Sequence, residues 1–172
     1  SLMMFLQYAI WGAWLPILYP FLMGHRGFSL DQTGQILAAG AIGAITGPFI
    51  AGQIADRYFA TEKFLALSHF LGAILIWQLS WMNTYNQFLI FSLFYGLVYA
   101  PTISLTNSLS LHHIPDRDRD FGRVRMWGTF GWIAVGLAMG HWLANQHMPA
   151  DPNASSEIIT KVLAAGKADA FK

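Results

Sequence analysis

Charged side chains in this 172-residue chain sit in a few short breaks, and that placement restricts the fold more than any motif does. Counting His as neutral, Ser1 to His25 carries no charge, and Arg26 and Asp31 interrupt the run. Gln32 to Ala55 is again uncharged, and Asp56, Arg57, Glu62 and Lys63 follow. Phe64 to Pro115 is a single long uncharged stretch. Asp116, Arg117, Asp118, Arg119, Asp120, Arg123 and Arg125 then cluster, and Met126 to Ala150 is uncharged once more. Crossing the hydrocarbon core takes about 20 apolar residues per helix. The long stretch holds two such lengths, divided at Asn83-Thr84-Tyr85-Asn86-Gln87, and each of the others holds one. The runs do not alternate apolar with polar, as a membrane barrel strand must. Backbone groups in lipid have to bond within their own segment, so the spans are helices.

The expectation is an all-α, polytopic transmembrane bundle with spans at roughly 2–23, 33–54, 64–82, 87–111 and 126–144. Residues 145–172 are then an extracytoplasmic loop, with a short helix near 155–165, leading to a sixth helix that is missing. Apolar residues make up 55% of the chain and charged ones 11%, which excludes a disordered tail, a nucleic-acid binder and an ordinary water-soluble enzyme. The absence of Cys removes thiolate chemistry and Cys-based zinc sites. The first span is too long, and lacks the basic start, for a cleaved signal. The chain begins without Met, so the true start is expected upstream. Lys and Arg crowd the loops after the second and fourth spans, which puts those loops and the N-terminus in the cytoplasm.

Polar and aromatic residues recur at helical spacing inside three spans. Gln7, Trp11 and Trp14 do so in the first. Tyr95, Tyr99, Thr102, Thr106 and Ser110 do so in the fourth, with Asn107 beside them, and Arg125, Thr129 and Trp132 in the fifth. Each set shares one helix face. Such faces line a wet cavity for a neutral, planar, hydroxyl-bearing solute, or else they bond helices to one another. Trp77, Trp81 and Trp127 lie where an interfacial aromatic belt would be. Gly40, Gly43 and Gly47, and Gly136 and Gly140, mark close helix packing, and Pro16, Pro20, Pro48 and Pro101 mark bends. His112, His113 and Asp116 have no specific metal spacing, so no metal is expected; His69 and His141 could relay protons, and read better as hydrogen-bonding between helices. No Asp or Glu lies within a span, so a proton-coupling group is expected outside this segment. No catalytic constellation is present.

Gly52-Gln53-Ile54-Ala55-Asp56-Arg57 resembles the signature between helices two and three of the major facilitator superfamily, without its usual basic cluster. Phe5 to Leu15, Ala55 to Ala60, Tyr99-Ala100-Pro101-Thr102 with Asn107, and Arg125-Met126-Trp127-Gly128-Thr129-Phe130-Gly131-Trp132 together resemble one branch, the bacterial nucleoside:proton symporters. The resemblance implies a twelve-helix fold in two halves, of which this chain is the first five helices of the N-terminal half. It also implies nucleoside:proton symport by alternating access in a bacterial inner membrane. The chain would work as a monomer, with the proton as coupling ion, no other cofactor, and the rest of its own chain completing the site. The substrate-binding role carries over to Arg125, Thr129 and Trp132, where Trp132 replaces a usual Phe. Gln7, Trp11, Trp14, Tyr99, Thr102, Thr106 and Asn107 would face the same cavity, and Gly52, Asp56 and Arg57 would form a gate. The alternatives are a sugar or oligosaccharide symporter, a non-transport membrane subunit, or a membrane-embedded enzyme.

Overall fold

The computed structural model describes residues 2–55 and 60–147, and every regular element among them is helical. The helices are α1 (Leu2–Pro20), α2 (Leu30–Ala55), α3 (Thr61–Trp81), α4 (Tyr85–His113) and α5 (Arg117–His147). A single π-helical segment, Phe21–His25, extends α1. The expected loop 145–172 overlaps the end of α5 at 145–147, and its remainder lies outside the described residues.

The helix ends follow from local chemistry. Pro16 and Pro20 each remove a backbone donor, and the chain goes on from Pro20 into the wider π turn, closed by the Arg26 N–H donating to the Phe21 carbonyl (3.1 Å). Gly27 then takes φ +69°, a conformation that costs glycine little, and ends the helix. Ser29 and Gln32 open α2 with reciprocal bonds: the Ser29 N–H donates to Gln32 Oε1 (3.0 Å) and the Gln32 N–H to Ser29 Oγ (3.2 Å). This is a capping box.

α5 starts nine residues before the expected span. The Arg119 N–H donates to Asp116 Oδ1 (3.1 Å), so Asp116 caps the helix. Asp118 and Asp120 lie in the first turn, where the helix dipole favours them, and Asp120 stands 3.7 Å from the exposed Arg123. The charged cluster is therefore largely the first two turns of a helix rather than a loop. Arg117 Nε donates to the Leu111 carbonyl (3.2 Å), covering a free acceptor at the end of α4.

α1 with its extension (Leu2–His25), α3 and α4 are long and apolar enough to cross a membrane by length and composition. Large apolar side chains point outward along several helices: Phe49 is 77% exposed, Ile45 69% and Leu137 70%. Water would penalise such a surface and lipid does not. The protein is a membrane protein. Trp77 and Trp81, near the end of α3, and Trp127 are also exposed.

The chain divides into two compact units, one with α1 and most of α5, the other with most of α2 and all of α3 and α4. In the first, a Cβ on Gly12 would collide with the Trp132 backbone, and one on Gly131 with the Phe5 backbone. Phe5 thus pairs with Gly131, and Gly12 with Trp132 and Gly136, so α1 and α5 run in the same direction with their backbones nearly touching. In the second unit, Gly43 meets the Gly96 backbone and Gly47 meets the Pro101 ring, and the Tyr85 hydroxyl donates to Gln35 Oε1. α2 and α4 are therefore parallel, while α3, whose Gly72 faces Tyr95 and Tyr99, runs against α4.

Candidate functional site: the polar stripes

The three stripes occupy different environments. On α4, Tyr95, Tyr99, Thr102, Thr106 and Ser110 are all buried, Thr102 and Thr106 almost completely. Tyr99 stacks on Tyr95 with centroids 5.2 Å apart, and both rings lie over Gly72 of α3. The Thr102 hydroxyl donates to the Tyr99 carbonyl of its own helix (2.6 Å), so its oxygen remains only as an acceptor. Asn107 is half-buried, its Oδ1 is enclosed, and it makes no hydrogen bond among the described residues. Leaving such an amide unmet costs about 1–3 kcal/mol, so its position calls for a donor.

On α5, Arg125 is half-buried, while Thr129 and Trp132 are exposed, Trp132 by 44%. Both the Trp132 backbone and its Cδ1 lie against Gly12, and the residue is partly exposed. On α1, Gln7 is buried, and Trp11 and Trp14 are half-buried. Trp11 meets Tyr8 edge to face at 6.3 Å. At 100° per residue, Phe5 and Gly12 lie about two fifths of a turn, roughly 140°, around α1 from the Gln7–Trp11–Trp14 face. α5 is thus seated well away from that face rather than over it. The structure places Thr129 and Trp132 in one unit with the α1 stripe, and Arg125 in the other with Tyr99, Thr102, Thr106 and Asn107.

Of the expected gate, Gly52 lies in the last turn of α2, and Asp56 and Arg57 lie outside the described residues. His112 and His113 are exposed at the end of α4, with His113 Nδ1 2.9 Å from the Leu109 carbonyl. No group of three or more His, Cys, Asp or Glu that could hold a metal occurs among the described residues. The Arg26 guanidinium lies over the Phe21 ring (5.2 Å), whose other neighbour is the stacked His25 ring, and burial lowers its pKa from the ordinary value.

Two residues of this architecture escape a periodicity argument. Gly12 and Gly131 form the α1–α5 seam, and neither belongs to the Gly40–Gly43–Gly47 or Gly136–Gly140 sets that the spacing marked. The Ser29–Gln32 cap, by contrast, is written in the sequence as S-x-x-Q.

With this geometry in place, known proteins give a consistent picture. The chain is 45% identical to YegT of Escherichia coli (strain K12) over 140 residues, covering 81% of this chain and 33% of YegT. It is 28% identical over 137 residues to the nucleoside permease NupG of Escherichia coli (strain K12), covering 77% of this chain and 33% of that one. It spans about a third of the length of these relatives. The crystal structure of nucleoside transporter NupG has a similar fold, with a TM-score of 0.77 at 24% identity, over 99% of this chain and 41% of that chain. This is the all-α transmembrane bundle of the N-terminal half of a major facilitator. Residues 1–163 match the nucleoside H+ symporter family, and the chain belongs to that family.

Proposed function

We propose that the chain is the N-terminal part of a secondary transporter that carries nucleosides with protons across a bacterial inner membrane by alternating access. All five helices cross the bilayer in this reading, the N-terminus is cytoplasmic, and the remaining helices of the same polypeptide complete the site. The transporter works as a monomer, needs no cofactor besides the coupling proton, and catalyses no covalent chemistry.

One observation carries the reading: on α5, a cation, a hydroxyl and a partly exposed indole follow one another along one face of the helix. Each has a use with a nucleoside. Arg125 donates hydrogen bonds to carbonyl or ribose oxygens. Thr129 donates or accepts with a ribose hydroxyl. Trp132 offers an aromatic face to the base. Gln7, Trp11 and Trp14 on α1 add an amide and two further rings. Asn107 supports the reading as an enclosed acceptor that a hydroxyl or amine can meet, with Tyr99, Thr102 and Thr106 shaping the wall behind it. Gly52, Asp56 and Arg57 are assigned to the gate and not to substrate.

The test is uptake of labelled uridine by cells or proteoliposomes holding the full-length protein, with unlabelled nucleosides and sugars as competitors. Nucleosides are expected to compete and sugars not to. Arg125→Ala is expected to lower uptake while the protein still inserts. Competition by sugars alone would overturn the substrate class, and undiminished uptake by Arg125→Ala would remove that residue from the site.

A further inference from the structure

His69 is the ninth residue of the 21-residue α3, half-buried in the middle of a helix able to cross a membrane. Among the described residues, the other histidines lie at or near helix ends: His25, His112, His113, His141 and His147. His69 Nδ1 stands 2.7 Å from the Leu65 carbonyl, one turn back in its own helix. This bond runs within α3. A carbonyl oxygen only accepts, so Nδ1 carries the hydrogen, and the lone pair of the neutral ring is on Nε2.

The His69 ring meets Tyr99 of α4 at 5.7 Å with the planes 75° apart, and Tyr99 stacks on Tyr95. A Cβ on Gly72, three residues along α3, would stand 3.6 Å from Tyr95 and 3.7 Å from Tyr99, so the missing side chain gives the two rings their place beside the imidazole. The titratable groups that α4 presents here are those two phenols. No Asp, Glu, Lys or Arg occurs from Phe64 to Pro115, so the only charged residues of α3 are Glu62 and Lys63 in its first turn, and α4 has none. On protonation the ring keeps its Nδ1–H bond to the Leu65 carbonyl and its edge contact with Tyr99.

We propose that Nε2 of His69 is a proton-binding site of the transport cycle. A proton from the aqueous phase adds to the Nε2 lone pair, no other bond breaks, and the same proton leaves to the opposite side. The proposal rests on the proton-driven nucleoside reading above, and supplies for this segment a coupling group that its lack of membrane carboxylates seemed to deny it.

The experiment compares wild type with His69→Gln in the full-length protein reconstituted in liposomes. Gradient-driven uridine uptake by wild type is expected to climb severalfold between pH 8 and pH 6. The Gln variant is expected to stay within about twofold over the same range, while its uridine counterflow without a gradient persists. Acid stimulation of the variant that superimposes on wild type would overturn the proposal and leave the functional reading intact. Wild-type uptake that is itself indifferent to the proton gradient would overturn both. If the variant does not fold, a nitrogen-15 titration of histidine-labelled wild type decides: an Nε2 that gains a proton on acidification supports the site, and a ring neutral down to about pH 5 overturns it.

Discussion

The α4 and α5 stripes have the same helical spacing and similar residue types, yet their surroundings are opposite. Thr102 and Thr106 are sealed, and the Thr102 hydroxyl is turned onto its own backbone. Thr129 and Trp132 are exposed on a helix that touches α1 through backbone, glycine and one edge of the Trp132 indole. Spacing therefore identifies a face and says nothing of what covers it. A threonine that bonds its own helix stabilises packing in an apolar medium, whereas one left open is available to a solute.

Substitutions can break or sharpen that contrast. The largest expected effect is on the seams. Gly12→Val forces a branched side chain into the Trp132 backbone and is expected to cost about 3 kcal/mol or more, read as lost folded protein in detergent melting. Gly40→Ala, where an added Cβ meets nothing within 4 Å, is the control and should leave melting unchanged. Next is Tyr99→Ala, which empties the space over Gly72 and is expected to lower stability by about 3 kcal/mol. If Tyr99→Ala left melting unaltered but abolished uptake, the α4 face would be lining a cavity after all.

Trp132→Ala should behave in the opposite way: little change in melting, and nucleoside affinity lower by about 1–3 kcal/mol, in the range of base stacking on an aromatic ring. A melting loss larger than the binding loss would make the α5 stripe a packing feature too. The smallest effect is expected for Thr102→Val. It removes one bond within α4, so about 1 kcal/mol or less of stability and no loss of uptake. A severalfold fall in uptake at constant stability would put Thr102 in contact with the solute.

Much of the fold was legible because lipid imposes a simple rule. A segment that must satisfy its own backbone and face acyl chains has to be a long uncharged helix, and each of the five runs has a helix over it. The helix ends were less legible. Asp116, read as one of several loop charges, caps α5 nine residues ahead of the apolar run, because capping is a local event that hydropathy does not register. Of the candidate site, the sequence marked the faces of α1, α4 and α5, but not which of them is covered.

What the sequence determined by itself is the class of solvent this protein lives in and the places of its helices along the chain, since charge placement and backbone satisfaction act along it. Only the tertiary structure decided that α5 lies on α1 at Gly12 and Gly131, that α4 spends its tyrosines on Gly72 of α3, and that Nδ1 of His69 is taken. Those are properties of surfaces meeting, and a single helix face, however regular, does not name its neighbour.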